Sequence, residues 1–256
     1  MIVAASTSCI SDEPLSSIFD RLVDLEYSHT ELVIGGQSPI PPSQIAERRD
    51  VIVQLRRTSR KIVPVAIFFD VESPPDDTND PAYIAFTQQF TQACKLAKDC
   101  KIAVISIHAA QPDSSFNGEI DRLQELVKIG IYHGVVVGVI TEAGRLTSTP
   151  ETALSLCKHV KGLGITFDPS HYTYNLPKPR DYEPILPHIC HVRLRDTTQE
   201  QFQTLIGQGV IDFGRLINHL TNFDYRRALC VDIAPLPNVD QSSELRKMRL
   251  LLESSL

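Results

Sequence analysis

The chain has 256 residues, 42% of them hydrophobic, with 25 lysines and arginines against 31 aspartates and glutamates and a formal net charge of −6. That length suits one large α/β domain with a sizeable core, and the acidic balance disfavours nucleic acid as the main partner, because neutralising phosphates takes a surplus of basic residues. No apolar run is long enough to cross a membrane, and the start, MIVAASTSCISDEP, lacks the basic residues that open a secretory leader.

The six cysteines, Cys9, Cys94, Cys100, Cys157, Cys190 and Cys230, form no CxxC pair and mostly fall inside apolar runs. They read as buried free thiols in a reducing compartment, so the expected location is the cytoplasm. The elements alternate from the start. A strand over Ile2 to Ala5 precedes a helix on Leu15, Ile18, Leu22 and Leu25, with Ser11 as cap and Pro14 in the opening turn. The second strand runs Glu31 to Ile34, a helix covers Ile45 to Leu55, and the third strand runs Ile62 to Phe69. The acidic, proline-rich loop from Val71 to Pro81 then leaves a strand end, as a lid, a rim or an ordinary surface excursion.

Asp80-Pro81 opens a helix with Phe86, Phe90, Cys94 and Ala97 on one stripe, Asp as cap and Pro at the first helical position. Strand four runs Ile102 to His108, and a helix on Ile120, Leu123 and Val127 follows Asn117-Gly118. Strand five runs Val135 to Thr141, and Leu154 and Cys157 follow Thr149-Pro150-Glu151 on the next helix. Strand six runs Leu163 to Phe167, a short helix covers Asp181 to Leu186, and strand seven runs Cys190 to Leu194. A Gly207-Gln-Gly209 loop leads to a helix on Phe213, Leu216, Ile217 and Leu220. Strand eight, Ala228 to Ile233, and a helix on Leu245, Met248 and Leu251 complete the chain. Several strands are apolar almost throughout, as in parallel sheets covered on both faces. Eight alternations without a GxGxxG or P-loop predict a single-domain (β/α)₈ TIM barrel over residues 1–256 rather than an open sheet.

Such a barrel gathers the carboxyl ends of its strands into one mouth, and acids and histidines stand at those ends: His108, Glu142, Asp168 with His171, Arg193 with Asp196, and Asp232. Glu142 can bind a cation or move a proton there, or pair with Arg145 as a rim acid. In Asp168-Pro-Ser-His171 the proline ends the strand and the turn returns the imidazole beside the carboxylate; Asp168 can equally cap that turn. Alternation on strand seven puts His191, Arg193 and Arg195 on the inner face, where they need the charges of Glu142, Asp168 and Asp232. Arg193, the inner arginine expected nearest the pocket, can hold a carboxylate or phosphate with two hydrogen bonds. The Gly-x-Gly loop is a weak anion-site signal and more simply a turn.

At these residues the chain resembles the xylose isomerase-like superfamily of sugar isomerases and epimerases, which also contains the endonuclease IV nucleases. The resemblance rests on TELVI, LAKDCKIAVISIHAA, VITE, GITFDPSH, HVRLRDT, IGQGVIDF and VDIAP. It implies a divalent metal (Mn, Mg or Zn) held by acids of strands five, six and eight and by a strand-seven histidine. Glu142 and Asp168 match in kind, Asp232 is one methylene shorter than the family's Glu, and the histidine position is Arg193, which has no lone pair to offer a metal. His191 lies two residues deeper along the strand and is not expected to take over that ligand role.

By this resemblance Glu142 and Asp232 form an acid/base pair working through an enediolate on a small sugar or sugar phosphate, in a concave pocket where His108 and His171 position the substrate. Arg193 would supply positive charge where a metal otherwise does. The tentative metal set is Glu142, Asp168 and Asp232, and the resemblance further implies a homodimer. Two alternatives stand beside this reading. One is a metal-free or non-catalytic binding member of the same barrel. The other is a phosphodiesterase of the endonuclease IV kind, which the acidic balance and the shortage of metal ligands disfavour.

Overall fold

The computed structural model describes residues 1–10, 13–58 and 61–256, so Ser11, the expected first cap, lies outside the described residues. Eight parallel strands close in chain order: β1 Ile2–Ser6, β2 His29–Gly35, β3 Val63–Asp70, β4 Val104–Ile107, β5 Val136–Ile140, β6 Gly164–Phe167, β7 Ile189–Leu194 and β8 Ala228–Val231. The seam closes where β1 pairs β8, Ile2 beside Ala228 and Ala5 beside Val231. The expected TIM barrel is the fold.

Seven α-helices cover the barrel among the described residues: α1 Leu15–Asp24, α2 Ile45–Thr58, α3 Pro81–Cys100, α4 Phe116–His133, α5 Pro150–His159, α6 Phe213–Asn222 and α7 Gln241–Glu253. Their starts follow capping chemistry. Asp80 accepts the Ala82 amide at 2.7 Å with Pro81 next in line, and Thr149 accepts the Thr152 amide ahead of Pro150. The cap of α4 is Ser115, which places Asn117-Gly118 inside its first turn. Between β6 and β7 the helix expected over Asp181 to Leu186 is instead a 3₁₀ segment, Glu183–His188. Pro184 and Pro187 account for that, since each lacks an N–H and resists an α-helical interior. A cavity of about 610 Å³ opens beside it, lined by Tyr172, Arg180, Tyr182, Arg215 and Leu216, and none of the candidate mouth residues borders it.

Strand alternation divides the core. Outward residues such as Leu32, Ile67, Ile105, Val137, Ile165, Val192 and Leu229 join the helices in one large cluster. Inside, Ala4, Ala228 and Cys230 pack as one small group, and Val33, Phe68 and Ile140 as another. All six cysteines are free and buried. No helix among the described residues is long and apolar enough to cross a membrane.

The barrel interior is narrow at β5 for a definite reason. Ser106 and Thr166 share a 2.6 Å hydrogen bond that reaches past Gly138, and a Cβ at Gly138 would lie 2.6 Å from both Thr166 Oγ1 and Cys190 Sγ. Gly138→Ala is therefore expected to destabilise the barrel by roughly 1–3 kcal/mol through overpacking. Thermal denaturation reads this as a midpoint lowered by several degrees; an unchanged midpoint would show that the interior can relax around the methyl group.

Candidate functional site

The mouth of the barrel is built in two halves. In the first, His108, just past β4, donates from Nδ1 to Glu142 Oε2 at 2.7 Å and from Nε2 to Asp70 Oδ1 at 2.9 Å. Its ring stands edge-on to Phe68 at 5.1 Å. Burial disfavours the charged imidazole, but the hydrogen bonds and charges of Asp70 and Glu142 outweigh that and raise its pKa to about 9. His108 is thus an imidazolium clamped between two carboxylates. Burial likewise raises the Glu142 carboxyl, yet the hydrogen bond and charge of His108 bring it below its ordinary value. Arg145 Nε approaches Glu142 at 3.6 Å, while the Arg145 guanidinium makes two bonds, 2.7 and 2.8 Å, to Glu72. That fork pins the start of the Val71 to Pro81 loop to the rim.

In the second half, two arginines of the β7 strand and the turn after it meet three carboxylates. Arg193 Nη2 lies 3.1 Å from Asp232 Oδ1 and its Nε 3.2 Å from Glu31 Oε1, with the guanidinium 4.1 Å over the Phe68 ring. Arg195 Nη2 lies 3.1 Å from Asp168 Oδ2 and also donates to Asp232 Oδ2. Its guanidinium rests 4.6 Å over Phe202. Ser8 Oγ donates to Asp232 Oδ1 at 2.7 Å, and His191 Nε2 donates to Glu31 Oε2 at 2.8 Å. Burial raises the Asp232 carboxyl, but Arg193, Arg195 and Ser8 together hold its pKa down near 2.

Asp168 caps the turn as expected and pairs with Arg195. Its Oδ1 accepts the Ser170 amide at 2.9 Å and so caps the 3₁₀ turn Pro169–Tyr172, while Oδ2 faces Arg195. That turn brings His171 Nε2 to 3.9 Å from Asp168 Oδ2. His171 Nδ1 accepts the Ala143 amide at 3.2 Å, which leaves the proton of the neutral ring on Nε2. Burial, foremost, lowers its pKa. Asp196 points away from the mouth: its Oδ2 accepts the amides of Gly207 and Gly209 at 2.8 and 3.0 Å. The Gly-x-Gly amides are therefore occupied by a carboxylate of the chain itself, and that loop is the plain turn.

His108, Glu142, Asp168, His171, Arg193 and Asp232 thus stand at one end of the barrel. Glu142, whose side chain is 20% exposed, is the most open of its carboxylates at Glu142, Asp168 and Asp232; Asp168 is fully buried. The residues do not fit the divalent metal that the resemblance implies. Position 193 offers no lone pair, and Arg195 stands between Asp168 and Asp232. Among the described residues the acid, histidine and cysteine ligand atoms that converge within 4.8 Å are those of Glu31, His191 and Cys230, a different trio. Glu31 of that trio is already engaged by the His191 hydrogen bond and by the Arg193 cation.

Asp70 and Glu31 were not singled out from the sequence, and the bridging role of Arg195 was not foreseen. Asp70 ends β3 as His108 follows β4, and the same strand-end rule would have found it. Glu31 sits inside an apolar run, where a buried acid signals a cationic partner. Arg195 was placed on the inner face, but its reach to Asp168 and Asp232 is a matter of side-chain length and strand tilt. The partners of the β7 arginines are accordingly Glu31, Asp168 and Asp232, not Glu142.

The two halves lose charge complementarity at opposite ends of the pH scale. The Asp232 carboxylate contributes stability above its ordinary value of 3.8 that is lost as pH falls toward 2. The His108 imidazolium contributes fully below 6.5, and this is lost as pH rises through about 9. These two contributions are both in place between about pH 5 and 6.5, and the loss of the His108 contribution toward pH 9 amounts to roughly 3 kcal/mol. His108→Gln should flatten the alkaline limb of a melting-temperature profile and leave the acid limb in place; an unaltered alkaline limb would remove His108 as its source.

Comparison with solved structures gives the same barrel. A D-tagatose 3-epimerase-like protein superimposes with a TM-score of 0.78 at 21% identity, covering 99% of this chain and 97% of that one. The 3-keto-D-glucoside 4-epimerase of E. coli gives 0.79 at 14% identity, with 99% of each chain covered. A D-allulose 3-epimerase from Methylomonas sp. gives 0.78 at 12%, covering 100% and 97%. No curated protein matches the chain by sequence. At these identities the likeness shows the fold, while the family model described as xylose isomerase-like TIM barrel matches residues 19–249. The chain belongs to the xylose isomerase-like TIM barrel family.

Proposed function

We propose that the protein is an isomerase or epimerase of a small sugar, moving a proton at the carbon beside a carbonyl through an enediolate. The observation that carries this reading is the placement of Glu142 and Asp232, carboxylates that follow β5 and β8, at one mouth with cationic donors beside each. Family membership and the sugar epimerases among its structural neighbours support it. Glu142, the more open carboxylate, takes the proton, and the His108 imidazolium it contacts stabilises the developing oxyanion. His171, with its free Nε2–H, positions a substrate hydroxyl or carbonyl.

Asp232 sets a condition on the chemistry. A carboxyl with a pKa near 2 is protonated at pH 7 at a cost of roughly 7 kcal/mol. It serves as the second acid/base only when Arg195 turns from it to a substrate oxygen, an exchange that also places guanidinium charge on the enediolate. Charge counting favours an unphosphorylated sugar. The six carboxylates Glu31, Asp70, Glu72, Glu142, Asp168 and Asp232 face four cations, His108, Arg145, Arg193 and Arg195, leaving a negative excess whichever charge His191 carries. A phosphate ester would enter against that field.

The double pairing of Asp232 by arginines favours a second reading, a sugar-binding member without turnover. Incubating the protein with free ketoses and their phosphate esters in D₂O, followed by NMR, separates the two. Exchange of the carbon-bound proton, faster with free sugars and reduced at least roughly 100-fold in Glu142→Gln, is the expected result. Sugar binding with no exchange would leave the binder, and exchange unchanged in Glu142→Gln would remove Glu142 from the chemistry.

A further inference from the structure

The carboxylates that the family resemblance assigns to a divalent ion already enclose a cation belonging to the chain. Asp168 Oδ2 and Asp232 Oδ2 both accept from Arg195 Nη2, and Asp232 Oδ1 lies 3.1 Å from Arg193 Nη2. The remaining Asp168 oxygen holds the Ser170 amide and hydroxyl, and Asp232 Oδ1 also accepts from Ser8. Every oxygen of the two carboxylates is thus engaged. The guanidiniums stack on rings, Arg193 on Phe68 and Arg195 on Phe202. An ion within bonding distance of both Oδ2 atoms would press against Arg195 in a largely buried space, and the lone pair it needs from residue 193 does not exist.

We propose that Arg195, backed by Arg193, is a built-in cation standing in the place of the family's metal, and that this barrel neither takes a divalent ion there nor needs one to fold. The exchange is chemically specific. A guanidinium carries one permanent charge and donates hydrogen bonds in a plane, so it orients and neutralises oxyanions but has no Lewis-acid orbital to offer. The inference does not depend on whether the protein turns over a sugar, because metal content reads it directly.

The test uses the full chain produced with added manganese. Elemental analysis of the wild type is expected to find far less than one ion per chain, and melting in EDTA and in excess Mn²⁺ should give the same midpoint. One EDTA-removable ion per chain, with a midpoint that falls on its removal, would overturn the proposal. Free-Mn²⁺ titration by electron paramagnetic resonance then separates the two arginines. Arg193→His restores the imidazole but keeps Arg195, and it is expected to bind Mn²⁺ no better than wild type. Arg193→His combined with Arg195→Gln is expected to bind at least roughly tenfold more tightly. If Arg193→His alone binds as well as the pair of substitutions, Arg195 is not the cation in the metal's place and the proposal fails. Should a variant fail to fold, the wild-type measurement still decides whether the barrel takes a divalent ion, and Arg195→Lys, which keeps a charge at the position, is expected to bind Mn²⁺ no better than wild type; tight binding by it would overturn the assignment to Arg195.

Discussion

The mouth of this barrel is organised by two arginines buried among three carboxylates. Glu31, Asp168 and Asp232 come from strands or strand ends far apart in sequence, and each is paired with Arg193, Arg195 or both. Removing one partner of such a buried set leaves an uncompensated charge that costs roughly 3–5 kcal/mol. The network therefore ties the end of β7 across the barrel to β2 and sideways to the ends of β6 and β8. It also sets the chemistry, since a carboxylate held by two guanidiniums is a weak base until one of them moves.

Across the mouth the same logic runs with a titratable cation. His108 holds Asp70 and Glu142 together, and its charge is available only while it is protonated. The permanent half and the switchable half meet at His171, whose neutral ring is close to Asp168 and receives the Ala143 amide beside Glu142. Glu142 is thus paired with a cation that loses its charge as pH rises through about 9, whereas Asp232 is held by two that keep theirs. The asymmetry between the two acids is a consequence of arginine against histidine as the partner.

Much of this was legible in the sequence because strand ends carry a strong signal. Eight apolar runs separated by amphipathic helices imply a barrel, and a barrel forces their carboxyl ends together, so His108, Glu142, Asp168 and Asp232 could be placed at one mouth before any coordinates. Glu31 was harder to see: an acid inside an apolar strand is read with the strand unless its buried partner is known. Arg195 was visible as an inward residue, yet which carboxylates it would bridge depends on strand tilt and stagger, which no local pattern encodes. The helix expected between β6 and β7 became a 3₁₀ segment because two prolines outweigh a short apolar period.

The sequence alone determined the alternation of strand and helix, the closed barrel it implies, the set of polar residues at its mouth, and the arginine at a position where imidazole would ligate. The first three follow from periodicity and capping, and the last from the family resemblance together with the donor chemistry of arginine. The tertiary structure decided the pairing: Arg195 between Asp168 and Asp232, His108 between Asp70 and Glu142, and Asp196 turned away to fill the Gly207–Gly209 amides. Pairing could be settled only there, because a charge in a low-dielectric interior takes whichever opposite charge the packed barrel brings within a few ångströms, and that distance is a property of eight strands at once.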